Sequence, residues 1–107
     1  MTLYQRLAHR IARLSALCPV SGCHLWMGAV NNDGYARINY RDNGQHRQAL
    51  VHRIVMDAPR NREVDHLCGV RCCVNPAHLM LVTHRENCSS RENRRRFQWR
   101  NYTAEIL

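Results

Sequence analysis

Between positions 68 and 78 the chain reads Cys-Gly-Val-Arg-Cys-Cys-Val-Asn-Pro-Ala-His. Cys68, Cys73 and His78 stand at five-residue intervals. Soft thiolates and an imidazole at short spacing are the donors that tetrahedral zinc takes. Three donors leave one position vacant, and Cys23, in the tight Gly22-Cys23 turn, is the candidate for it. Cys72 is the alternative to Cys73, because adjacent cysteines cannot easily both bind one ion. The competing account is free buried thiols or a reversible disulfide. Structural zinc contributes on the order of 10–16 kcal/mol in finger peptides, against about 5–15 kcal/mol for a whole domain. A zinc site here would therefore decide whether the chain folds.

A second set is Asp65-His66, followed by Thr83-His84-Arg85-Glu86-Asn87. Carboxylate and amide oxygens suit a hard ion such as Mg²⁺ or Mn²⁺. An imidazole beside them has a pKa near enough to neutral to deprotonate a water. Neighbouring residues of a flat strand face opposite sides, so Asp65 and His66 share a site only where the strand bends or ends. By spacing alone, an Asp-His pair is more often a surface hydrogen bond.

Composition narrows the partner. Sixteen basic residues, all Arg, stand against eight acidic ones in 107 residues, for a net charge of +8. Genome composition explains the missing lysines equally well, but the physical consequence is the same: the guanidinium fork binds phosphate bidentately. Such an excess on so small a body points to a polyanion, most often nucleic acid. Hydrophobic residues are 45% and aromatics 7%, which is ordinary globular material. Apolar runs are far short of the ~20 residues that span a bilayer. Arg6, Arg10 and Arg13 interrupt the first twenty residues, with no apolar core for a secretory leader. The expected setting is a reducing cytoplasm, which favours metal over disulfides.

The elements that must position these residues follow from periodicity. Leu3, Leu7, Ile11, Leu14 and Cys18 predict an amphipathic helix over 2–18, closed by Pro19 and Gly22. Its acid-free, Arg-rich face resembles a mitochondrial presequence, but a helix packed on the domain is the preferred reading. Leu25–Ala29, Tyr35–Tyr40 and Gln45–Val51, separated by Asn31-Asn32-Asp33-Gly34 and Asp42-Asn43-Gly44, predict a three-stranded antiparallel meander. Val51–Asp57 reads as a short helix before Pro59, and Arg60–Glu63 as a polar turn. Val64–Leu67 and Leu79–Val82 read as strands flanking the cysteine loop. Thr83-x-x-Glu86 is a capping box opening a helix to about Arg96. Trp26 and Tyr35 are expected in the core, and His52 is expected to be packed and outside the site. Tyr40 and Trp99 could stack on bases, with packing preferred. Arg85, Arg91, Arg94, Arg95 and Arg96 are the candidate phosphate contacts.

The order Val64-Asp65-His66-Leu67-Cys68, Cys73-Val74-Asn75-Pro76-Ala77-His78-Leu79, Thr83-His84-Arg85-Glu86-Asn87 resembles the HNH endonuclease family, in its phage- and intron-encoded branch with a cysteine-containing loop. Cys23-His24-Leu25-Trp26-Met27-Gly28, Asp33-Gly34-Tyr35 and Val51-His52-Arg53 support it, with His24 standing where the family usually has Trp. The resemblance implies an α+β fold: a zinc-stabilised ββα-metal core over 23–88, after a helix and meander and before a basic extension over 89–107. It implies His66 as general base, Asp65 and Asn87 holding one divalent ion, and His84 assisting or touching phosphate. The family's middle position falls on His78 by spacing or on Asn75 by residue type. With His78 given to zinc, Asn75 is the alternative, against a strong turn role for Asn-Pro. The expected function is metal-dependent hydrolysis of DNA phosphodiesters. One site nicks one strand, so double-strand cleavage would take a homodimer or two visits. The alternatives are a zinc-stabilised nucleic-acid-binding module without catalysis, and a nuclease acting on RNA or branched DNA.

Overall fold

The computed structural model describes residues 1–88. The first helix, α1, is Leu3–Arg13, opened by Thr2, whose side chain accepts from the Gln5 amide while Gln5 reaches back. It ends five residues earlier than the sequence predicts. Ser15 turns its hydroxyl onto the Ile11 carbonyl, and Ser15–Leu17 leaves the helix as a strand, β1. The apolar period continues through Leu14 to Cys18, but the backbone finds strand partners instead. β1 pairs antiparallel with β2 (His24–Trp26), Ser15 opposite Trp26 and Leu17 opposite His24.

The hairpin expected around Asp42-Asn43-Gly44 is present as β3 (Arg37–Asp42) and β4 (Gln45–Leu50), with six register pairs. Asn43 and Gly44 have positive φ, 52° and 78°, the turn geometry that matches strand twist. The meander itself is not formed. β2 joins β1, and the link to β3 is a single bridge, Val30 to Ala36. The free edge of β2 is instead taken by the cysteine loop. Val74 donates to the His24 carbonyl at 2.8 Å, Trp26 donates to the Cys72 carbonyl at 2.9 Å, and Leu25 bridges Cys73.

α2 (Val51–Val55) follows β4 without a gap, its first amide donating to the Ala36 carbonyl at 2.9 Å. Arg53 then pins the next turn, donating to the carbonyls of Arg62 at 2.9 Å and Pro59 at 2.8 Å. That turn delivers β5 (Glu63–His66), paired antiparallel with β6 (Leu79–Val82). A 3₁₀ turn, Pro76–His78, precedes β6, and α3 (His84–Cys88) follows it. The rest of the helix expected to Arg96 lies outside the described residues. Leu7 and Ile11 of α1 pack with Trp26, Ala36, Ile38, Val51 and Val74 as one core. Burying an aliphatic side chain such as Leu7, Ile38 or Val51 contributes about 1.5–3 kcal/mol. Gly28 makes room for Trp26: a Cβ there would sit 2.7 Å from the indole.

Candidate active site and metal centre

Cys23, Cys68, Cys73 and His78 converge, with their ligand atoms all within 4.8 Å of one another. Cys23 Sγ and Cys73 Sγ each lie 3.6 Å from His78 Nδ1. Zinc bonds of about 2.3 Å to sulfur and 2.0–2.1 Å to nitrogen put a tetrahedral S···N edge at about 3.6 Å, so the donor set fits the ion. The fourth donor arrives because β2 is stitched to the loop. Asn75 adds to this, donating to the Gly22 carbonyl at 2.8 Å and accepting from the Ala77 amide at 3.0 Å. Asn75 thus caps the 3₁₀ turn and ties it to the Cys23 turn. Of the adjacent pair, Cys73 enters the cluster, and Cys72 packs against the hydrophobic core. A hydrogen bond with Cys73 holds the Cys68 thiol below its usual value and pushes the Cys73 thiol well above it. Burial raises Cys23 and lowers His78. A Cys₃His set of this kind can hold a metal such as zinc.

The second constellation lies at the end of β5. Asp65 and His66 are 3% and 5% exposed. The strand stops at His66, where the chain turns and Gly69 donates to the His66 carbonyl at 2.9 Å. Asp65 and His66 both line one pocket of about 180 Å³, with Tyr35, Val64, Gly69 and Arg71. His66 is walled by aromatic rings. His52 meets it edge-on at 4.8 Å between centroids, and Tyr35 lies 5.6 Å from His66 and 5.4 Å from His52. Burial, then His66 and Arg53, push the His52 imidazole down to about 4. His52 is packed, as the sequence suggests, but what it packs on is the site. Tyr35 is half-buried pocket wall rather than core, with the Arg71 guanidinium 5.5 Å over its ring. Arg71 also donates to the Asp33 carbonyl at 2.7 Å. Trp26 is in the core, donating to the Ala29 carbonyl at 2.8 Å.

Asn87 and His84 meet on a residue that the sequence reading left in a turn. Glu63 begins β5, and its Oε2 accepts from Asn87 Nδ2 at 2.9 Å while its Oε1 lies 3.0 Å from His84 Nδ1. These two bonds, His84's first, hold the Glu63 carboxyl below its usual value. Glu63 and Asp65 are two apart on one strand and so share a face. That period-two relation was the available signal. At the start of α3, Thr83 Oγ1 accepts from the Glu86 amide at 3.1 Å and donates to the Glu86 carboxylate. The expected box thus closes on the hydroxyl. Arg85 is exposed on α3. Arg91, Arg94, Arg95 and Arg96 lie outside the described residues, as does Trp99.

The family model described as HNH endonuclease matches residues 49–88. Protein 2.8 of Escherichia phage T7 is 34% identical over 96 residues, covering 90% of this chain and 64% of that protein. The chain therefore spans under two thirds of that relative. No solved structure matches. Among the described residues no helix is long and apolar enough to cross a membrane. Residues 49–88, which carry Asp65, His66, His84 and Asn87, are thus similar to the HNH endonuclease family over somewhat more than a third of the chain.

Proposed function

We propose that the chain is a metal-dependent endonuclease that hydrolyses phosphodiester bonds in DNA. The observation that carries the reading is the pocket that Asp65 and His66 both line, on a strand whose first residue, Glu63, orients Asn87 of α3. His66 serves as general base, taking a proton from the attacking water. Its ring packs against those of His52 and Tyr35, which restrains it and limits water on that side. Asp65 and Asn87 are the pair to hold a divalent ion, Mg²⁺ or Mn²⁺, which supplies charge stabilisation at the scissile phosphate and leaving oxygen. Donating Nδ2 to Glu63 turns the Asn87 amide oxygen the other way, free for that ion. His84, highly exposed beside Glu63, is placed to touch phosphate. Cys23, Cys68, Cys73 and His78 hold structural zinc, and Arg85 with Arg91, Arg94, Arg95 and Arg96 contacts the DNA backbone.

The test is plasmid nicking by the full chain, with and without added Mg²⁺ or Mn²⁺, beside His66→Ala. Metal-dependent relaxation by the wild type alone supports the reading. Intact plasmid with both proteins, together with a retarded band on a gel, would instead indicate a binding module without catalysis.

A further inference from the structure

The proposed chemistry makes no use of the β3–β4 hairpin. Its register pairs alternate between two faces. On one face Ile38 is buried and Tyr40 packs against the core. The opposite face presents Asn39 across from Gln48 and Arg41 across from His46. All four are exposed. No carboxylate lies on that face, because Asp42 belongs to the other one, where Arg47 lies 3.8 Å away. Every residue from Gln45 to Gln48 is exposed, so the tip of the hairpin stands clear of the body. Arg10 of α1 donates to the Asn39 carbonyl at 3.0 Å, which adds a cation along the β3 edge.

Resting on the nuclease reading for its partner, we infer that this ribbon docks double-stranded DNA, lying in the major groove with Asn39, Arg41, His46 and Gln48 on base edges. A groove about 12 Å wide admits a two-stranded ribbon. Asn and Gln pair bidentately with adenine and Arg with guanine, so this face offers readers of both purines. Its positive charge complements the phosphates on either side. The ribbon is also joined rigidly to the pocket. Tyr35 lies two residues before β3 and His52 two residues after β4, and both rings pack on His66. A duplex held by the ribbon is thereby registered against Asp65 and His66. Six strand residues span about 20 Å, the rise of about six base pairs. The bases read lie within that distance of the bond cut, on one side of it.

The experiment compares the wild-type full chain with the double variant Arg41→Ala/Gln48→Ala and with Arg41→Glu. Affinity is measured for a fluorescent duplex and for a single strand of the same sequence, and nicking at saturating DNA is measured alongside. Both variants are expected to bind the duplex at least about tenfold more weakly, the value of one bidentate base contact. Their melting temperature is expected to be unchanged, since all the altered side chains are exposed. Unchanged duplex affinity overturns the inference, as does an equal loss on the single strand, which would mark a surface that follows phosphates. A wild type that binds no duplex also overturns it. Duplex binding weakened in both variants, with no nicking by any protein, supports the ribbon and removes only the nuclease reading.

Discussion

The Glu63 carboxylate at the start of β5 accepts a 2.9 Å hydrogen bond from Asn87 Nδ2 on α3, across 24 residues of chain. The other oxygen of the same carboxylate meets His84. Glu63→Ala frees both side chains while leaving Asp65 and His66 in place. Removing a partner that orients a metal ligand typically costs 10–100-fold in metal affinity or activity. The expected outcome is a nicking rate lower by about that factor, with the Mg²⁺ dependence moved to higher concentration and little change in melting temperature. Wild-type kinetics across a Mg²⁺ titration would detach Glu63 from the site.

His66→Ala is expected to fold and to lose on the order of 10²–10⁴ in nicking rate, the usual contribution of a general base. Circular dichroism and single-turnover nicking are the paired measurements. Cleavage near the wild-type rate would remove His66 from that role.

Cys73→Ser breaks the Cys₃His cluster at its most buried sulfur. With structural zinc worth on the order of 10–16 kcal/mol, the variant is expected to lose its cooperative melt and its bound metal together. Stripping the wild type with a strong chelator should give the same trace. Elemental analysis beside thermal unfolding checks this, and a cooperative melt with full metal content in Cys73→Ser would refute the zinc assignment.

His52 adds a pH dependence. Its folded pKa is pushed down to about 4 from an ordinary value of 6.5. Between those values the unfolded chain binds the proton and the folded chain does not, so stability falls as pH falls through that window. At 1.36 kcal/mol per unit the ceiling is about 3 kcal/mol, and residual solvent around the ring lowers it to about 1–2 kcal/mol. Replacing His52 with Leu removes this component. Urea melts of both proteins from pH 7 to pH 4 should show a stability difference that shifts in favour of the variant as pH drops. A constant difference would mean that His52 does not titrate in the fold.

The parts of the site that were legible in the sequence are those set by local spacing. Cys68, Cys73 and His78 lie within one loop, and β6 and the Thr83 cap carry their own signals. Cys23, in the tight Gly22-Cys23 turn, was the candidate for the vacant fourth position, and it joins the cluster. What could not be read was settled by pairing between distant segments. Ser15–Leu17 keeps a helical period yet forms a strand, because β2 offers it hydrogen bonds. The meander fails for the same reason, since the other edge of β2 goes to the cysteine loop. His52 reads as a packed histidine, and only the fold shows that its neighbour is His66. Glu63 was lost in a run of polar turn residues, although its distance of two from Asp65 placed both on one face.

The family resemblance begins at residue 49, but Cys23 lies outside it and reaches His78 across 55 positions. A fragment restricted to 49–88 would hold three of the four donors and would lack the β2 edge that seats its loop. During synthesis, β2 cannot complete its second edge until the chain has been made through Val74. Closing so long a loop costs entropy before any contact repays it, which places the step late in folding. A metal in the cluster would then clamp segments 55 positions apart that β2 and the cysteine loop have already brought side by side.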